Sequence, residues 1–71
     1  MNQAILFNDD HTFDHELQAW KFTGQLSGDR ISIYIRTSDQ NISQDLKFTW
    51  EDKVEEWLEY NEPDADNCIW L

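Results

Sequence analysis

Apolar and polar residues alternate along most of the first half of the chain, which is the pattern of strands with one buried face. Residues 2–7 predict a first strand, with Ile5 and Phe7 on the same face. A polar break over residues 8–12 precedes a second predicted strand at residues 17–26. Gly28 then supplies a hairpin turn, because a tight turn needs a residue that accepts a positive φ.

The clearest alternation follows that turn. Three isoleucines, at positions 31, 33 and 35, are separated by Ser32 and Tyr34, which predicts a strand with one wet face. Residues 37–43 are polar and predict a loop. Leu46, Phe48 and Trp50 alternate with polar residues once more, so a further short strand is expected at residues 46–50.

From residue 50 the spacing of apolar residues changes from every second residue to every third or fourth, which predicts a helix over residues 50–60. Thr49 is expected to cap it, with Asp52 three residues on as in a capping box. The apolar positions recur at i, i+4, i+7 and i+8, as on one side of an amphipathic helix; they are Trp50, Val54, Trp57 and Leu58. Pro63 is expected to end the helix because it disfavours helical backbone in the residue before it.

After an acidic loop at residues 64–67, the apolar tail 68–71 is expected to form an edge strand or an exposed anchor. Together these elements predict an α+β fold: a small antiparallel β-meander of three to four strands with one packed C-terminal amphipathic helix. At 71 residues the chain has room for one domain, 1–71. Its ten aromatic residues make a core possible at this length.

Charge narrows the possible functions. Fifteen Asp and Glu oppose five Lys and Arg, for a net charge of −10. This disfavours nucleic acid and anionic membranes as direct ligands and favours a basic partner. The single cysteine, Cys68, permits no internal disulfide, and the chain shows neither a signal peptide nor a membrane-spanning run. We therefore expect a cytoplasmic protein.

The negative charge is concentrated in one segment. Residues 51–66 contain eight carboxylates and a single lysine, and so hold seven of the net charges. Helical carboxylates at i, i+3 and i+4 stand about 5–6 Å apart, a spacing comparable with that of phosphates along a DNA strand. Such a stripe can imitate a phosphate backbone, whereas many small domains carry an acidic surface for solubility alone. The eight carboxylates are Glu51, Asp52, Glu55, Glu56, Glu59, Glu62, Asp64 and Asp66.

The candidate metal-binding and catalytic residues give weaker signals than the acidic segment. His11 and His15 are four residues apart with Asp14 beside them, and on a helix the three could hold a metal ion. Two histidines in a polar segment are more often ordinary surface residues, so we predict neither a metal nor any other cofactor. Cys68 lacks a neighbouring base, and neither a phosphate-binding glycine loop nor a Ser–His–Asp set is present. We expect no enzymatic activity.

Several positions in the first half resemble the YrdB-like family of small bacterial proteins, a family of unknown function. The shared positions are Met1-Asn2-Gln3-Ala4-Ile5, Phe7, Asp14 after Phe13, Phe22, Gly28 and Ile31. They are mostly core and turn positions, so the resemblance implies a small α+β fold and no catalytic residues. The second half departs from the family, because its longer acidic helical tail is represented only by residues 50–60 and a short end.

The sequence therefore predicts a non-enzymatic inhibitor or regulator that occludes a basic, nucleic-acid-binding surface of a bacterial protein. Small acidic phage-encoded inhibitors of defence systems, of the anti-CRISPR or anti-restriction type, share this size and charge. The eight carboxylates would supply the charge, and Tyr60 and Trp70 would add apolar anchors. The alternative is a housekeeping interaction module, for example a homodimer that pairs exposed strand edges, with the acidic surface serving solubility.

Overall fold

The computed structural model describes residues 5–37, 39 and 41–71. Residues 1–4, which carry part of the predicted first strand and of the YrdB-like resemblance, lie outside that range. No helix within it has the length and apolar character needed to cross a membrane. The elements are β1 (Ile5–Phe7), β2 (Thr12–Asp14), β3 (Ala19–Leu26), β4 (Asp29–Arg36), α1 (Gln44–Leu58) and β5 (Cys68–Trp70).

A long hairpin is the centre of the sheet. Strands β3 and β4 pair antiparallel along their full length, and Ser27 and Gly28 turn between them with φ of 53° and 86°. Both β1 and β2 pair antiparallel with β3 on one side, and β5 pairs parallel with β4 on the other. The sheet therefore runs β1-β3-β4-β5, with β2 beside the opposite half of β3 from β1.

Helix α1 packs on one face of this sheet and closes the core. The three isoleucines of β4 point to that face, as do Phe22 and Leu26 of β3. From the helix, Trp50, Val54 and Leu58 are buried against them. The predicted α+β class is thus confirmed, although the described residues form a five-stranded sheet that is mixed because the tail joins it in parallel.

The strand predicted at residues 46–50 is wrong, because α1 already begins at Gln44. Ser43 caps the helix instead of Thr49, and its Oγ accepts the amide of Leu46 at 3.1 Å. Leu46 and Trp50 are four residues apart, so they fit both the alternation of a strand and the i, i+4 spacing of a helix. Phe48 was the misleading residue: it is apolar, yet its side chain is 53% exposed on the outer side of the helix.

Strand β2 falls partly within the segment that we expected to be a polar break. Between β1 and β2 the Asn8 amide donates to the Thr23 carbonyl oxygen at 2.8 Å, and side chains add further hydrogen bonds to Thr23. Asp10 accepts the amide of Thr23 at 2.9 Å and its hydroxyl at 2.6 Å, while the Asn8 side-chain amide donates to the same hydroxyl oxygen at 2.9 Å. Burial raises the pKa of the Asp10 carboxyl, but these hydrogen bonds lower it by more, so the pKa lies below its usual value.

Candidate partner-binding surface

The outer side of α1 carries a row of exposed carboxylates. Trp50, Val54 and Leu58 fix the inner side of the helix, so residues about half a turn away project into solvent. Those positions hold Asp45, Asp52, Glu55, Glu56 and Glu59, all exposed. Four of them were predicted as partner-binding residues, and the structure places these four together on one rigid element. We call this row of five carboxylates the acidic stripe.

Glu51 lies at the edge of the stripe and is half-buried. Its pKa is raised, first by desolvation and then by the neighbouring carboxylates of Asp9, Glu55 and Asp52. Burial is the larger of these causes, and the three carboxylates add a smaller repulsion of the same sign. A cationic partner side chain placed here would relieve that repulsion.

An apolar groove of about 430 Å³ borders the acidic stripe near the end of α1. Trp57 and Leu71 line it, together with Tyr60, Lys53 and Asn61, and Glu56 belongs both to the stripe and to the groove. Tyr60 is 85% exposed, and it lines the same groove as Glu56. The predicted anchor therefore lies beside the carboxylates. Trp57 was predicted on the apolar side of the helix, where it is partly buried against the core and also lines this groove.

The three acids after the helix lie apart from the stripe. The Asp64 carboxylate accepts the amides of Asp66 and Cys68, each at 2.9 Å, and so shapes the turn that leads into β5. Asp66 is exposed in that turn. Glu62 lines a smaller pocket with Asp29 and other residues of the β3–β4 hairpin. These three carboxylates belong to the loop after α1, and Asp64 has a structural role.

Trp70 is not brought together with the acidic stripe. In β5, Ile69 points to the helix-covered face, and side chains alternate along a strand, so Trp70 lies on the opposite face. There its ring stacks on Tyr34 with centroids 4.3 Å apart. The predicted surface therefore divides: Tyr60 adjoins the stripe, and Trp70 belongs to the other side of the sheet.

The possible metal ligands serve other purposes. The His11 side chain is 1% exposed and stacks on Phe22 with ring centroids 4.3 Å apart. The Asp14 carboxylate accepts the amides of residues 16 and 17, and His15 packs edge-on against Phe13. Within the described residues no group of three or more His, Cys, Asp or Glu side chains is arranged to hold a metal ion.

His11 gives the fold a dependence on pH. Burial against Phe22 and Trp50 lowers the pKa of the imidazole, and nearby Lys47 lowers it further, while Asp9 and Asp10 oppose the shift. The folded state therefore favours the neutral ring. Its contribution to stability is complete above the unfolded pKa of 6.5 and is lost as pH falls from there towards the lower folded value.

We expect His11→Phe to reduce the loss of stability between pH 7.5 and pH 5, because phenylalanine keeps a ring in the stack and does not titrate. Chemical unfolding of both proteins across this range measures the difference. His15→Gln, which changes an exposed histidine, serves as the control and should keep the wild-type profile. Parallel pH profiles for the wild-type and His11→Phe proteins would contradict the prediction.

Cys68 is a poor candidate for a reactive thiol. Burial raises its pKa, and the carboxylates of Asp64 and Asp66 raise it further, against a smaller opposing effect of Lys21. Because the thiolate is the nucleophilic form, a raised pKa lowers its reactivity at neutral pH.

The fold is similar to a solved structure. A crystal structure of a protein of unknown function from the DUF1488 family of Shewanella loihica PV-4 superposes with a TM-score of 0.69 and 26% sequence identity, and the match covers 100% of this chain and 94% of that chain. No family model and no curated protein matches the sequence. The resemblance to YrdB-like proteins therefore stays a prediction.

Proposed function

We propose that this protein is a non-enzymatic binding module whose acidic stripe occupies a basic, nucleic-acid-binding surface of another protein. The observation that carries the proposal is the row of exposed carboxylates on one side of a fifteen-residue helix that is anchored in the core. The helix holds the charges at fixed spacing, so a basic groove meets them as it would meet the phosphates of a nucleic acid.

Apolar contact completes the proposed surface. Tyr60 and the groove lined by Trp57 and Leu71 lie beside Glu56, so a partner side chain can be desolvated next to the charges. Buried aromatic contacts supply much of the affinity of protein interfaces, whereas complementary charge mainly supplies specificity and rapid association. Trp70 and the loop carboxylates are left out of this surface because they lie elsewhere on the fold.

Three reversals on the stripe, Glu55→Lys, Glu56→Lys and Glu59→Lys combined, should abolish retention of a basic partner. The immobilised protein is exposed to bacterial lysate at low salt, and retained proteins are eluted with added DNA or RNA. We expect the wild-type protein to release a nucleic-acid-binding protein, and the triple variant to retain none. At roughly 0.5 M salt, where the Debye length is about 4 Å, wild-type retention should also fall.

A matched control separates the stripe from net charge. Glu16→Lys, Asp29→Lys and Asp39→Lys combined alter the total charge equally at exposed positions outside α1, and should keep the partner. Lysines near the end of α1 suit the helix dipole, so the stripe variant should remain folded, as circular dichroism can verify. Equal retention by the wild-type and stripe variants would rule out phosphate mimicry.

The groove supports a second candidate function, a housekeeping interaction module that binds its partner mainly through apolar contact. In that case the acidic stripe serves solubility. Binding would then be insensitive to salt and to the three reversals, but Trp57→Ala, which removes an aromatic side chain from the groove lining, would abolish it.

A further inference from the structure

The face of the sheet opposite α1 carries positive charge in an otherwise acidic protein. Three of the five basic residues lie there, namely Lys21, Arg30 and Arg36. In β4 the two arginines alternate with the isoleucines that face the helix, and Lys21 of β3 pairs with Tyr34 on the same side as the arginines. Arg30 and Arg36 are exposed. Within the described residues the ion pairs involve other cations, namely His11 and Lys47, each with Asp9.

Aromatic rings hold two of these cations in place. Tyr34 and Trp70 stack at 4.3 Å with an angle of 11° between their planes. The Lys21 ammonium lies 5.8 Å from the centre of the Tyr34 ring, and the Arg36 guanidinium lies 5.0 Å from that of Trp70. Cation–π contact restrains a charge without neutralising it. We call Lys21, Arg30, Tyr34, Arg36 and Trp70 the basic platform.

The two faces of the molecule are complementary in chemistry. The acidic stripe lies on the helix side, and the basic platform lies on the far side of the sheet. Each includes exposed aromatic surface: Phe48 sits on the outer side of α1, four residues before Asp52, and Trp70 is 37% exposed on the platform. At physiological salt the Debye length is about 8 Å, so charges on the facing surfaces dominate over the net charge of each molecule.

We propose that the basic platform binds the acidic stripe of a second copy of this chain. Lys21, Arg30 and Arg36 would face carboxylates of the stripe, and Phe48 would pack against the Tyr34–Trp70 stack. The contact joins two different surfaces and is therefore head-to-tail. Such contacts extend into open chains unless their rotation closes a ring, so the assemblies should grow with concentration.

A nucleic-acid strand is the competing ligand for a platform of cations and aromatic rings. It fits the surroundings less well, because carboxylates border the platform. Asp64 and Asp66 lie in the turn that leads into β5, the strand that carries Trp70 of the platform. A long polyanion would run past the cations onto these acids, whereas the stripe of a second copy is short.

Light scattering on the purified wild-type protein, at roughly 0.05 M and 0.5 M salt, is the first test. We expect species larger than a monomer at low salt, increasing with protein concentration, and a monomer at high salt. Reversing the platform with Lys21→Glu and Arg36→Glu should weaken the association by about tenfold or more, since like charges would then face each other. The neutral pair Lys21→Gln and Arg36→Gln should weaken it less.

Mixing two variants tests which surfaces meet. The platform variant K21E/R36E keeps a native stripe, and the stripe variant E55K/E56K/E59K keeps a native platform. Each should be monomeric alone, because its two faces carry the same sign of charge. Their equimolar mixture should associate, because the native stripe of one meets the native platform of the other.

A wild-type protein that remains monomeric at low salt and millimolar concentration would overturn the proposal. Mixed variants that fail to associate would also overturn it. A third contrary result would be a wild-type protein that does not self-associate at low salt but binds a labelled oligothymidylate, when the K21E/R36E variant does not bind it. Light scattering on the purified wild-type protein involves no other protein, so its outcome does not depend on the proposed partner. If both proposals hold, self-association covers the acidic stripe and competes with the partner.

Discussion

Trp50→Ala is expected to lower the free energy of unfolding by about 3–5 kcal/mol, the usual effect of removing a large buried aromatic side chain. Trp50 is 5% exposed, and its ring lies 6.5 Å from that of Phe22 and 6.2 Å from that of Trp20. It is thus the main aromatic contact between α1 and the sheet. Native proteins have a total stability of about 5–15 kcal/mol, so this loss is a large fraction of the free energy of unfolding.

Phe48→Ala is the matched control for this prediction. It removes an aromatic ring from the same helix, two residues earlier, but from the exposed side. Alanine is the better helix former, so stability should change by no more than about 0.5 kcal/mol. Urea unfolding followed by circular dichroism measures both variants. Similar losses for the two would mean that Trp50 contributes through the helix alone and not through the core.

Gly24→Ala should destabilise the protein by about 1–3 kcal/mol, the range for overpacking in a well-filled core. A Cβ at this position would lie 2.9 Å from the carbonyl oxygen of Leu6 and 3.2 Å from the side chain of Ile5. The oxygen belongs to the backbone of β1, which pairs with β3 here, so it cannot move without disturbing the sheet.

Gln25→Ala, on the exposed neighbouring position of β3, provides the comparison and should change stability by about 0.5 kcal/mol or less. Thermal unfolding of the two variants separates close packing at position 24 from a general effect of alanine in the strand. A Gly24→Ala protein as stable as the wild type would show that β1 can shift away from β3 at little cost.

The hairpin was predictable because each local signal agreed with the next. Alternation along Ile31, Ile33 and Ile35 fixed the buried face, and Gly28 marked the turn between two long strands. The start of α1 was not predictable from alternation. Leu46 and Trp50 fit both the strand and the helix pattern, and Phe48 fits only the strand pattern. The serine cap at position 43 was the signal that distinguished them.

The candidate surface was partly predictable for a related reason. Charge and helical spacing located the acidic stripe, because both depend only on neighbours along the chain. The position of Trp70 depends on β5 pairing with β4 in parallel, a long-range contact with no local signature. The same holds for His11, whose polar neighbours gave no hint that its ring is buried against Phe22 and close to Trp50.

The borders of the sheet bear on how this protein behaves when concentrated. The eight-residue strands β3 and β4 form the centre of the sheet, and each strand outside them has three residues within the part of the chain that the structure describes. On one border the Asn8–Asp10–Thr23 hydrogen bonds interrupt the backbone pattern between β1 and β2. Short, interrupted borders are poor templates for adding another chain's strand, which is how fibrils grow. The fold therefore protects its most aggregation-prone segments, the isoleucine-rich β4 above all, as long as these small strands remain docked.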